Sequence, residues 1–129
     1  MKYVILIHSN PQPWGHPTAD HVAEHQALSA ATRERLGQEF DDGFAEVMRR
    51  GELVHAEALG DPAAATLLRW QDDDKVATDG PYAETTEHLA GFFVVDVESR
   101  ERAEEIARLF SGPGETIELR PVADGAGSE

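Results

Sequence analysis

The chain lacks cysteine, has few basic residues and has no long hydrophobic run, and each absence excludes a class of function. None of its 129 residues is cysteine, so disulfides and a thiolate nucleophile are excluded. Its 11 basic residues are outnumbered by 25 acidic ones, which gives a formal charge of −14. Such a surface repels phosphate backbones and anionic lipid, so we predict no nucleic-acid and no membrane partner. The apolar run at 3–7 is too short for a signal peptide or a spanning helix, and a cytoplasmic location is expected.

Several functional motifs are also missing. The sequence has no glycine-rich phosphate loop, no serine nucleophile elbow and no zinc-finger spacing, so no cofactor is predicted. The length fits a single domain. We assign that domain to residues 1–122 and predict a disordered tail over 123–129.

Hydrophobic periodicity predicts alternating strands and helices. A helical pattern covers 18–50, with a break or a kink expected at Gly37 and Gly43, and 18–36 is interpreted as a lid-like helical segment. The second half of this helix carries a stripe suited to packing on a sheet: Leu36, Phe40, Phe44 and Val47. A second helix follows Ser99. Strands are predicted at 3–7, 53–59, 66–71, 75–77, 92–97 and 116–122.

This order predicts an α+β fold of the ferredoxin-like, split βαβ type with an added β-hairpin. The helices of such a fold cover one face of a mostly antiparallel sheet. Because the other face stays bare, we expect a homodimer whose two sheets face each other as a dimeric α+β barrel.

Four segments carry a resemblance to a known family. They are MKYVILI at the start, GELVHAEAL at 51–59, VATDGPYAETTEHLAGFFVVDV at 76–97 and IELRPV at 117–122. Together they resemble the YCII-related, or DGPF-domain, family. The resemblance implies a dimeric α+β barrel, frequent gene proximity to extracytoplasmic-function sigma factors, and few members of known activity.

Two departures from the family pattern limit what the resemblance implies. Tyr82 stands where the name-giving motif has phenylalanine. Some relatives carry a histidine, proposed as catalytic together with an aspartate, near the position of Glu39 or Phe40. This chain has no histidine there, so a catalytic role is not inherited.

Strand alternation groups the remaining polar candidates. His55 and Glu57 should share a face with Leu53, pointing away from the helices, and His8 and Arg120 join them if their strands present the same face. An imidazole beside a carboxylate in a partly dry cavity suits acid–base catalysis, which makes His55, Glu57 and His8 the candidate catalytic residues. Arg120 could hold a substrate carboxylate. The alternative is a satisfied polar network between subunits.

The loop after the hairpin and the first long loop supply further candidates. Asp79, Gly80 and Pro81 form a rigid turn, with a positive φ expected at the glycine. In a second interpretation this turn is a pocket rim. The ligand-binding candidates there, together with one residue of the proline-rich loop interpreted as a lid, are Asp79, Tyr82, Glu84 and Trp14.

Three histidines raise the question of a metal. His21 and His25 are spaced i, i+4 on the predicted helix, and His16 precedes them. No clear third and fourth ligands accompany the pair, so no metal is predicted and exposed helical histidines are the alternative.

Three functions remain open at this stage. The first is a small-molecule enzyme of the isomerase or lyase type, working by acid–base chemistry in the inter-sheet cavity. The second is a non-catalytic sensor or accessory protein of a sigma-factor regulatory system, as the family's gene context implies. The third, a metal-dependent enzyme, depends on the three histidines alone.

Overall fold

A computed structural model describes residues 1–82 and 86–123, which form an α+β domain with antiparallel sheets. The strands are β1 (Lys2–Ser9), β2 (Leu53–Ala58), β3 (Thr66–Gln71), β4 (Asp74–Asp79), β5 (His88–Asp96) and β6 (Thr116–Pro121). The α-helices of the described residues are α1 (Ala23–Gln26), α2 (Ala30–Arg49) and α3 (Arg100–Leu109). Short 3₁₀ helices cover Thr18–His21 and Pro62–Ala64.

The larger sheet has the strand order β2-β5-β1-β6, and each neighbouring pair is antiparallel. α2 connects β1 to β2, and α3 connects β5 to β6. The order is compatible with the split βαβ arrangement predicted from the sequence.

The hydrophobic core lies between this sheet and the helices α2 and α3. Its members are buried side chains that the strands and both helices contribute: Tyr3, Ile5, Val47, Val95, Val97, Ala103, Ile106 and Ala107. Ser99 begins α3 as predicted, because its hydroxyl accepts a hydrogen bond from the Arg102 amide at 3.1 Å. The opposite side of the sheet, here called the open face, has Val4, Leu6, Phe92 and Val94 at its centre, each half-buried.

The predicted breaks of the long helix at Gly37 and Gly43 are wrong, because α2 continues through both glycines. Gly43 lies where α2 contacts α3, and a Cβ there would overlap the side chain of Leu109 on α3. The missing side chain therefore lets the two helices approach closely. The predicted apolar stripe is confirmed, since Val47 is buried and Phe40 and Phe44 stack with ring centroids 5.6 Å apart.

The chain instead breaks its helical path before α2. Val22 is extended, with φ −100° and ψ 126°, and separates the 3₁₀ helix from α1. Ser29 then caps α2 by accepting a hydrogen bond from the Thr32 amide at 3.1 Å. The segment 18–36 is therefore two short helices followed by the first turns of α2. A lid role for this segment stays a prediction.

β3 and β4 form a separate two-stranded sheet, here called the hairpin arm. Its turn has positive φ at Asp72 and Asp73. Its base is held by a backbone hydrogen bond of 2.8 Å from the Gly80 amide to the Ala65 carbonyl, and Gly80 has the predicted positive φ, at 106°. Leu68 and Trp70 on the arm are 73% and 66% exposed, so the arm leaves large apolar side chains in solvent.

Among the helices that the structure describes, none combines the length and apolar character needed to cross a bilayer. The predicted tail over 123–129 lies outside the described residues, apart from Ala123.

Candidate functional site

A cavity of about 950 Å³ lies on the helix side of the sheet, between α2, the end of α3 and the strands β2 and β5. It forms where the sheet surface carries small residues. Ala56, Ala90 and Gly91 line it, and a larger side chain at Ala56 would fill part of the space beneath α2, whereas a Cβ at Gly91 would meet the Glu57 carbonyl oxygen of β2. This volume is at the upper end of the range for small-molecule sites. We call it the helix-side cavity.

Aromatic rings form one wall of the helix-side cavity. Phe40, Phe93 and Phe110 all line it. The ring centroids of Phe93 and Phe110 are 4.3 Å apart, and those of Phe40 and Phe110 are 5.3 Å apart in an edge-to-face arrangement. Because each ring is held by its neighbours, this wall is a pre-formed apolar surface.

The opposite wall of the helix-side cavity brings together two segments that are far apart in the sequence. Thr18 is buried, and its hydroxyl donates a short hydrogen bond to the Glu115 carboxylate, 97 residues away. Both residues line the cavity. Thr18 does not cap the 3₁₀ helix, because its hydroxyl is used in this long-range contact and Pro17 holds the cap position.

The candidate catalytic residues lie on the open face, on the other side of the sheet. His55 Nε2 is 2.9 Å from Glu57 Oε2. His8 Nε2 is 3.0 Å from Glu118 Oε1, and Arg120 Nε is 3.8 Å from Glu118 Oε2. The four predicted residues therefore share one face, and each histidine has a carboxylate partner.

They do not form a single cluster in one chain. His55 and Glu57 are on the edge strand β2, whereas His8 and Arg120 are on β1 and the other edge strand β6. Edge strands of a four-stranded sheet are three strand spacings apart, about 14 Å. The apolar centre of the open face separates the two groups. The His55–Glu57 pair is also exposed, at 56% and 55% of the side-chain surface.

Leu53 was predicted to share the open face with His55 and Glu57, and this prediction is wrong. A register shift between Leu53 and His55 in the pairing of β2 with β5 turns Leu53 toward the helix-side core. Simple alternation along β2 therefore fails at its first residues, and Val54 is 50% exposed.

The remaining ligand-binding candidates lie near the base of the hairpin arm or at the end of β2. Asp79 is exposed at the end of β4, and Tyr82 is 78% exposed with the Arg69 guanidinium 5.8 Å from its ring centroid. Trp14 is held by a hydrogen bond of 3.0 Å from its indole nitrogen to the Leu59 carbonyl. Glu84 lies outside the described residues.

The histidines of the metal hypothesis are arranged differently from the prediction. His21 ends the 3₁₀ helix and His25 belongs to α1, so the two do not share one continuous helix. His16 Nε2 is 2.7 Å from the Leu59 carbonyl oxygen. Within residues 1–82 and 86–123, no group of three or more potential metal ligands comes together.

Sequence reasoning missed the helix-side cavity and its residues Thr18 and Glu115. Neither residue belongs to a local motif, and their contact joins segments far apart in the chain. The small residues at Ala56, Ala90 and Gly91 were the available signal, because a helix-covered strand normally carries larger side chains.

These features define a small α+β domain with an antiparallel sheet covered by helices on one face and a cavity beneath them. Comparison with known proteins agrees. The model of the YCII-related domain matches residues 1–122. An uncharacterised protein of Rhizobium meliloti (strain 1021) is 31% identical over 100 residues, which are 75% of this chain and 81% of that protein. The chain belongs to the YCII-related family, and the resemblance found in its motifs is confirmed.

Proposed function

We propose that this protein is a dimeric small-molecule-binding protein and that its ligand occupies the helix-side cavity. The observation that carries the proposal is the cavity itself, with a volume of about 950 Å³ and an aromatic wall. Concave sites with a largely apolar lining and a few polar groups are the usual places for small ligands in proteins. The Thr18–Glu115 contact supplies such polar groups at this site.

A cavity-filling variant tests this proposal. Ala56→Phe places a ring in the cavity, whereas Ala45→Phe adds the same ring at an exposed position of α2 and serves as the control. We expect neutral aromatic fragments to bind the unaltered protein with dissociation constants on the order of 1 mM. Ligand-observed NMR should register this binding for the control but not for Ala56→Phe. If no fragment binds the unaltered protein, or if Ala56→Phe binds equally well, the proposal is wrong.

The open face supports the dimer in this proposal. An antiparallel sheet with one solvated face normally carries polar residues there, yet Val4, Leu6, Phe92 and Val94 occupy its centre. Paired basic and acidic side chains stand at its two edges. An apolar centre within a polar rim is typical of interfaces, and a twofold axis pairs such a face with itself. The second copy then makes a barrel of two ferredoxin-like sheets.

Acid–base catalysis between the two sheets is the second candidate function. It is favoured by the His55–Glu57 contact, since a carboxylate at 2.9 Å can orient an imidazole for proton transfer. In a dimer, His8 and Arg120 of one chain can approach this pair of the other. The candidate reaction is an isomerisation or elimination next to a carbonyl group.

His55→Asn tests the catalytic alternative, with His21→Asn, at the end of the first 3₁₀ helix and outside the lining of the helix-side cavity, as the matched histidine control. Once a turnover is found, we expect His55→Asn to lower kcat by a factor of about 10² to 10⁴, as loss of a general base does. The control should keep kcat. Unchanged turnover in His55→Asn removes this residue from catalysis and favours the sensor or sigma-factor accessory role.

A further inference from the structure

We infer that the ligand of the helix-side cavity is an organic cation with an apolar body. The inference rests on the proposed function, because it names the class of ligand for that same cavity. Its three supports are the balance of charge along the lining, the environment of Glu115 and the aromatic wall.

Carboxylates dominate the charged lining of the helix-side cavity. Two arginines line it, Arg33 and Arg108. The acidic lining residues on the helix side of the sheet are Asp20, Glu34, Glu39, Asp41 and Glu115. The whole chain also carries a formal charge of −14. Four of these carboxylates are exposed, and Glu115 is half-buried. An excess of one sign of charge around a cleft attracts ligands of the opposite sign and concentrates them locally.

Glu115 is the carboxylate best placed to contact a ligand. It is half-buried, and its partner is the neutral hydroxyl of Thr18. Across the part of the chain that the structure describes, no basic group forms an ion pair with it. A half-buried carboxylate that keeps free acceptor sites gains most from a charged N–H donor. An ammonium or amidinium group of the ligand supplies that donor.

The two arginines do not compensate this charge inside the cavity. The Arg108 side chain is 75% exposed and lies 3.9 Å from Glu104, on the solvent side of α3. Arg33 is also exposed, near the start of α2. The interior surface is formed instead by Phe40, Phe93 and Phe110. Such rings take up an apolar body, and their faces also attract cations.

Three probes of equal size separate charge from shape: 3-phenylpropylamine, 3-phenylpropan-1-ol and 3-phenylpropanoate. Isothermal titration calorimetry at pH 7 measures each with the full chain. We expect the amine to bind about tenfold more tightly than the carboxylate, with the alcohol between them. In 1 M salt the difference should shrink, because exposed carboxylates of the lining are then screened.

Glu115→Gln identifies the carboxylate responsible. It should remove most of the advantage of the amine while leaving binding of the alcohol unchanged. Glu101→Gln, on the exposed part of α3, changes the net charge equally and should keep the advantage. Binding of the alcohol without preference for the amine, or preference for the carboxylate, overturns this inference and leaves the proposed function intact. Failure of all three probes to bind overturns both.

Discussion

At the scale of single residues, an ion pair between Arg102 and Glu52 connects α3 to the start of β2. The guanidinium donates three hydrogen bonds to the carboxylate, at 2.8, 3.0 and 3.3 Å, and the side chains are only 14% and 10% exposed. The hydrogen bond with Glu52 raises the pKa of Arg102 above its already high ordinary value. Arg102 is therefore charged throughout the working range of pH. A paired geometry of this kind fixes the direction in which α3 lies on the sheet.

Arg102→Met is expected to lower the free energy of unfolding by about 3–5 kcal/mol, because the Glu52 carboxylate stays buried without its partner. Urea denaturation at pH 7 measures the change. Arg35→Met removes an exposed i, i+4 pair with Glu39 and should cost at most about 1 kcal/mol. Equal losses in the two variants would show that the buried pair has no special role in stability.

At the scale of elements, the sequence predicted α3, β3 and the apolar stripe of α2, because regular periodicity and a serine cap are local signals. It misplaced the breaks in the first helix. Helix propensity disfavours Gly43, but the close contact with Leu109 on α3 requires a residue without a side chain there. The register shift in β2 could not be predicted from local sequence patterns either, because it depends on how β2 pairs with β5.

The hydrophobic core and the hairpin arm should differ in how much the free energy of unfolding falls when an apolar side chain is removed. Ile106→Ala, at a site 1% exposed, is expected to cost about 2–5 kcal/mol of unfolding free energy because it leaves a cavity in the core. Leu68→Ala on the arm, at a site 73% exposed, should change it by at most about 0.5 kcal/mol. Thermal and urea unfolding compare the two. A large loss from Leu68→Ala would mean that the arm is packed in solution, for example against a second chain.

At the scale of the whole molecule, the sequence predicted which face of the sheet carries the polar candidates, but it did not predict the helix-side cavity. Alternation along strands assigns His55, Glu57, His8 and Arg120 to one face, since it needs only the two-residue period. The helix-side cavity depends on how far α2 stands from the sheet. That distance is set by packing between distant segments, including the contact of Thr18 with Glu115, which no local pattern predicts.

The assembly can be tested on the open face. Val94→Asp places a charge at its apolar centre, and Met48→Asp makes a similar change at a site of α2 that is 53% exposed. Native mass spectrometry and sedimentation should give a dimer for the unaltered protein and for Met48→Asp, but a monomer for Val94→Asp. Circular dichroism checks that each variant is folded. If Val94→Asp is folded and still dimeric, the dimer interface is not on the open face.

The close contact at Gly43 also bears on how ligand preference can change within this family. Leu109, the residue that a Cβ at position 43 would displace, lines the helix-side cavity. A single added methyl group there would push Leu109 aside or tilt α2, and would alter the width of the cavity while every polar contact stayed in place. If a ligand occupies this cavity as proposed, substitution at this one position changes the size of ligand that fits, while the charged and polar lining residues stay the same.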